Sequence, residues 1–173
     1  QTSILLSSLE YLQLKSGCHI TEEDLNNLPN SVKHIEMNDF GCSHFEEINN
    51  LPTSLEYLKL YGVFSTKITN WPPNLKHLEI CGNYDFPLDN LPQTLTYLSI
   101  QGKFNRELVN LPQHLQHLRL GNKFNKDIKN LPESLESLTI GSYYFNDRNI
   151  LVEDMKFLVE RSEFDKQIHL PKN

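Results

Sequence analysis

The chain has 173 residues and a mass of 20.2 kDa, enough for one domain with a sizeable core. Its 38% hydrophobic content excludes a disordered chain, and no stretch approaches the ~20 apolar residues of a membrane helix. A net charge of −6 excludes a general nucleic-acid binder, which needs a basic footprint.

Taken from the N-terminus, the first pattern is Ser8–Leu14, SLEYLQL, which returns as SLEYLKL at Ser54–Leu60. Between and beyond them a Leu-Pro pair recurs at Leu28, Leu51, Leu91, Leu111 and Leu131, with Trp71-Pro72 in the same series. The spacing is 23 residues once and then 20 four times. Units therefore start near 5, 28, 51, 71, 91, 111, 131 and 151, and one repeat domain fills residues 1–173. The chain starts at Gln1 rather than Met, which is expected of a fragment of a longer chain.

Each unit reads L-P-x-S-L-x-x-L-x-L-G-x-x-F-N-x-x-I-x-N. The segment L-x-x-L-x-L ends in period-two alternation and predicts a strand with one buried face. The residues before the next Leu-Pro are rich in Gly, Asn and Pro, which argues against helix in the regular units. One unit cannot bury its apolar side chains alone, but stacked units bury each column on its own copy. The expected fold is mainly β: a leucine-rich-repeat-like solenoid of about eight coils, roughly 38 Å long. A parallel sheet lines its concave face and irregular chain its convex side.

The columns assign roles. Positions five, eight and ten are aliphatic, and an aromatic column contains Phe64, Tyr84, Phe104, Phe124, Tyr144 and Phe164. A further aliphatic column runs Ile68, Leu88, Leu108 and Ile128. Asn27, Asn50, Asn70, Asn90, Asn110 and Asn130 close each unit, where a stacked Asn can bond the backbone of adjacent coils. Glycines at 62, 82, 102, 121 and 141 end the strands and suit a positive-φ turn. Ser54, Thr94 and Ser134 share one position and read as turn chemistry.

Irregularities sit at the ends. The first two units carry three extra residues each, and Phe45 and Ile48 are three apart where the pattern wants four. Arg148 and Ile150 interrupt the columns of the seventh unit. The last unit, with Val152 for Pro and Glu160 at a core position, reads as a C-terminal cap. It is either a strand, the favoured reading, or a short helix with Asn149 as its N-cap.

The repeat resembles the FNIP repeat, a leucine-rich-repeat relative. The residues that carry the likeness are the Leu-Pro pairs, the S-L-x-x-L-x-L strands, and FNRELVNLP (Phe104–Pro112) with FNKDIKNLP (Phe124–Pro132). The resemblance implies a viral or amoebal source and a role in protein binding. In some family members an F-box precedes the repeats, which implies the substrate-recognition arm of a ubiquitin-ligase adaptor.

Candidate binding residues lie on the outward strand positions. The seventh reads Tyr11, His34, Tyr57, His77, Tyr97 and His117, flat side chains with polar tips that suit a protein interface. The same rings would stabilise the sheet by stacking, at ~0.2–1 kcal/mol per pair. The ninth position includes Glu36, Lys59, Glu79 and Arg119, where alternating sign suits charge pairing between neighbouring strands. His34, His77 and His117 stand on alternate strands, ~9.6 Å apart, too far to share one metal ion. No metal, cofactor or catalytic motif is expected.

Cys18, Cys42 and Cys81 form an odd set without C-x-x-C spacing. With no N-x-[ST] sequon, this points to a cytoplasmic protein, in the host cytoplasm if viral. Residues 1–90 hold 5 Lys/Arg against 12 Asp/Glu, so positive partners are steered to that half. Function is expected to be a non-catalytic protein-protein interaction module. The alternative is a self-associating scaffold, dimerising through a terminal strand edge.

Overall fold

The structure is a computed structural model that describes residues 8–15, 17, 21–39, 47–62, 67–141 and 156–160, the last without side chains. Expectations placed on Leu5, Cys18, Cys42, Phe45, Phe64, Tyr144, Arg148, Ile150, Val152, Phe164 and the Asn149 cap lie outside these residues.

The strands form where the repeat puts L-x-x-L-x-L. They are β1 (Tyr11–Leu14), β2 (His34–Asp39), β4 (Tyr57–Gly62), β6 (His77–Gly82), β7 (Tyr97–Gly102), β8 (His117–Gly121), β9 (Ser137–Gly141) and β10 (Lys156–Glu160). Together they make one eight-stranded sheet in chain order, parallel throughout. Two short strands, β3 (Glu47–Ile48) and β5 (Lys67–Ile68), pair separately. Ile48 lies opposite Ile68 and both are buried, so the odd spacing after Phe45 leaves Ile48 in the aliphatic column.

Register puts like on like. Leu58, Leu78, Leu98 and Leu118 are neighbours across four strands, and so are Leu60, Ile80, Ile100 and Leu120, all 0–1% exposed. The fifth-position column, the aromatic column Tyr84, Phe104 and Phe124, and the aliphatic column through Leu88, Leu108 and Ile128 complete the core. At ~0.8 kcal/mol per buried methylene, this stacking is what holds one coil to the next.

Each corner repeats one hydrogen-bond scheme. The proline carbonyl accepts from the fifth-position N–H at 3.1 Å, from Pro29/Val32 through Pro132/Leu135. The hydroxyl column then ties coil to coil: Ser31, Ser54, Thr94 and Ser134 donate to the carbonyls of Leu9, Val32, Leu75 and Leu115 at 2.7–2.9 Å. These hydroxyls are staples between coils, not local turn chemistry, because the preceding coil's fifth-position carbonyl lies directly in reach.

The closing asparagines act differently from the expected ladder. Asn90, Asn110 and Asn130 have φ of 57, 55 and 54°, the left-handed region that Asn tolerates better than most residues. Asn70 does donate from Nδ2 to Asn49 O at 3.2 Å, Asn27 caps a helix, and Asn50 is exposed. The side-chain ladder sits five residues earlier. Asn105 N–H donates to Asp85 Oδ1 at 3.0 Å and Asn125 N–H to Asn105 Oδ1 at 2.8 Å.

The helix is α1 (Glu22–Asn26), which occupies the longer first crossover. Thr21 and Asp24 form a reciprocal capping box, and Leu25 is buried in the core. Gly62, Gly82 and Gly102 have positive φ as expected, whereas Gly121 does not. Gly121 falls one residue earlier in its coil and is required for space: a Cβ there would meet Gly102 N at 2.8 Å.

The last unit is a strand, but shifted by one. Phe157 pairs with Leu138 and Val159 with Ile140, so Glu160 falls opposite Gly141 rather than in the tenth column. A one-residue slip exchanges the two faces of a strand, and this one takes position 160 out of the tenth-column register. About six turns carry the full pattern rather than eight. Leu9, Leu12 and Leu14 of the first unit are only partly buried, and the last unit has slipped.

Candidate functional site

Alternation along each strand sends the eighth and tenth side chains inward and the seventh and ninth outward. Parallel in-register pairing then brings each outward residue beside its copy. Tyr11, His34, Tyr57, His77 and Tyr97 become one pile of stacked rings, with centroids 4.5, 3.9, 4.4 and 4.0 Å apart and interplanar angles of 25, 6, 14 and 4°. The pile opens at its end, where Tyr97 and His117 are 6.0 Å apart and tilted by 54°. His117 Nδ1 lies 2.9 Å from Ser137 Oγ, a contact that the more N-terminal histidines replace with a carboxylate.

Strands in a sheet lie ~4.8 Å apart. The outward rings from Tyr11 to Tyr97 are closer than that, while Phe104 and Phe124 inside the core are 6.1 Å apart. The ring pile runs along the outward face of the sheet, the side that is concave in a leucine-rich-repeat-like solenoid.

Beside the rings runs a charged cluster. His77 Nε2 donates to Glu79 Oε1 at 2.7 Å, Tyr57 Oη donates to the same oxygen at 3.3 Å, and Lys59 Nζ lies 3.1 Å from Oε2. Burial would raise the Glu79 pKa, but the bonds from His77 and Lys59 and the Lys59 charge outweigh it and hold the carboxyl down at about 2. Glu36 is lowered in the same way: burial opposes, and His34 at 3.1 Å and Gln13 at 3.0 Å prevail. Tyr57 is pushed up by burial and then by the Glu79 charge. Burial works against the Lys59 ammonium, yet bonds to Tyr61 and Glu79 raise it, and Nζ sits 4.8 Å from the Tyr61 ring centre.

The expected pairing of Glu36, Lys59 and Glu79 is thus partial: Lys59 joins Glu79, and Glu36 is served by its own strand's His34 and by Gln13. Arg119 stands apart on β8, exposed, with no ion-pair partner among the described residues. Cys81 is half-buried, between Tyr61 and Gln101 in the register. No group of His, Cys, Asp and Glu among the described residues could hold a metal ion.

Two features escaped the column reading. The sixth position carries a second charge series, with Lys33 3.3 Å from Glu10 and Lys76 2.8 Å from Glu56. Its alternating signs were legible in the sequence. Gln101 was not: its Oε1 is buried without a hydrogen-bond partner, which only coordinates reveal.

A family model described as FNIP Repeat matches residues 24–62 and 104–143. Those two stretches are FNIP repeats. Among solved structures, the solenoid is similar to the giant-virus protein CroV588, described as a novel circular leucine-rich-repeat protein. The likeness has a TM-score of 0.64 and 33% identity over 78% of this chain. The chain spans about 21% of the length of CroV588. No curated protein matches it. Among the described residues no helix is long and apolar enough to cross a membrane.

Proposed function

We propose that this FNIP solenoid is a non-catalytic protein-interaction module that binds through its concave face. The observation that carries the reading is the ring pile of Tyr11, His34, Tyr57, His77 and Tyr97. It is an ordered surface of amphipathic side chains, already immobilised by stacking and by hydrogen bonds to Glu36 and Glu79. Binding on it costs little side-chain entropy, which is the usual reason rings dominate interface energetics. Its regularity supports recognition rather than catalysis, since the carboxylates are engaged in holding the rings.

A finer reading follows from the repeat family: the module selects substrates for an F-box-type ubiquitin ligase. Affinity capture with the wild-type chain and with a Tyr57→Ala/Tyr97→Ala variant tests both levels. The variant should keep its β-rich circular dichroism and lose the partners that the wild type retains. Unchanged partners would remove the concave face from the account. Ubiquitin-ligase subunits among the lost partners would support the adaptor reading, and their absence would reject it.

A further inference from the structure

We propose that the binding centre on this face is the β7–β8 junction, and that it takes an acidic segment of a partner protein. The inference rests on the concave-face reading above and adds the place and the chemistry.

Three independent observations meet at this junction. The ring pile is closed from Tyr11 to Tyr97 and opens between Tyr97 and His117, at 6.0 Å and 54°. Arg119 is exposed there and has no ion-pair partner among the described residues, whereas Lys59 on the same face is engaged by Glu79. Gln101, on the strand beside Arg119, donates from Nε2 to Ser99 Oγ at 3.3 Å, but its Oε1 is buried and unpartnered. Ser99 lies opposite Arg119 in the register, so the donor fork and the orphan acceptor belong to one patch.

The chemistry of the occupant follows. An unpaired guanidinium presents a planar fork that fits a carboxylate in two parallel bonds. A buried carbonyl oxygen without a donor costs about 1–3 kcal/mol, recovered when an N–H arrives. A peptide carrying Asp or Glu offers both: a carboxylate for Arg119, and a backbone N–H that the half-buried Gln101 side chain meets by turning its amide outward. The charge of one carboxylate matches one guanidinium. Glu79, two strands away, disfavours a more heavily charged anion. The N-terminal part of the face is not the centre, because its carboxylates are already satisfied by His34, His77, Gln13 and Lys59.

The test is to pan a random dodecapeptide phage library on the immobilised 173-residue chain and on Arg119→Glu and Arg119→Gln variants. Position 119 is exposed, and thermal melts should coincide for all three proteins. The wild type should enrich peptides that contain Asp or Glu. A synthetic copy of an enriched peptide should bind about ten-fold or more weakly to Arg119→Gln, more weakly still to Arg119→Glu, and less well to Gln101→Leu. Added salt should weaken it further. Enriched peptides without an acidic residue, or binding that both Arg119 variants retain, would overturn the assignment. If such peptides are still lost by Tyr57→Ala/Tyr97→Ala, the concave face binds elsewhere along its length. If that variant retains them too, the concave-face reading falls with it.

Discussion

Glu79 shows how one residue couples the interior of the face to its surface. Its carboxylate receives His77, Tyr57 and Lys59, and its pKa is about 2 against an ordinary 4.5. A folded-state value below the unfolded one means that its stabilisation is complete above pH 4.5 and is lost as pH falls toward 2. Chemical denaturation should therefore show stability dropping through that window. Glu79→Gln should be less stable at pH 7 by roughly 2 kcal/mol, and the gap to the wild type should narrow as pH approaches 2. A constant gap across the window would mean that Glu79 contributes packing rather than charge. The wider cluster has the same sense, since Glu36 is also lowered.

At the scale of the element, coil-to-coil hydrogen bonds and close glycine contacts add specificity to a sheet that leucine stacking drives. A Cβ at residue 102 would collide with the Gly82 carbonyl, and residue 102 also has φ of 90°. Gly102→Ala should cost at least ~2 kcal/mol in denaturant unfolding, from backbone clash and positive φ together. Asn105→Ala should cost ~1 kcal/mol, because it leaves the Asn125 N–H without its acceptor. A smaller loss at residue 102 than at 105 would reverse this ranking. The strands, the core columns and the outward ring series were all legible in the sequence, because they depend on periodicity alone. The role of each polar column was not. Asn90 and Asn105 recur with the same 20-residue period, yet one answers to backbone dihedral and the other to hydrogen bonding. The slip at β10 was hidden for a related reason: aligning Leu158 with Leu138 satisfies the pattern, and the burden of Glu160 appears only when registers are compared.

At the scale of the whole molecule, each strand of the sheet pairs, among the described residues, with the strands of the coils before and after it, in the order β1-β2-β4-β6-β7-β8-β9-β10. Stability is then a sum of coil terms and neighbour interfaces along one continuous core. The inner strands β6, β7 and β8 carry the full set of columns, with Leu78, Leu98 and Leu118 at 0% exposure. The first strand has only partly buried Leu12 and Leu14. Amide hydrogen exchange should therefore be slowest in β6–β8 and faster in β1, with a gradient rather than one uniform protection level. Leu98→Ala removes a side chain that stacks on both neighbours, and should cost ~3 kcal/mol. Its effect should spread to β6 and β8 in near-equal measure and fade toward β1. Equal protection in every strand, lost everywhere at once in the variant, would instead describe a globular two-state domain and defeat the nearest-neighbour account.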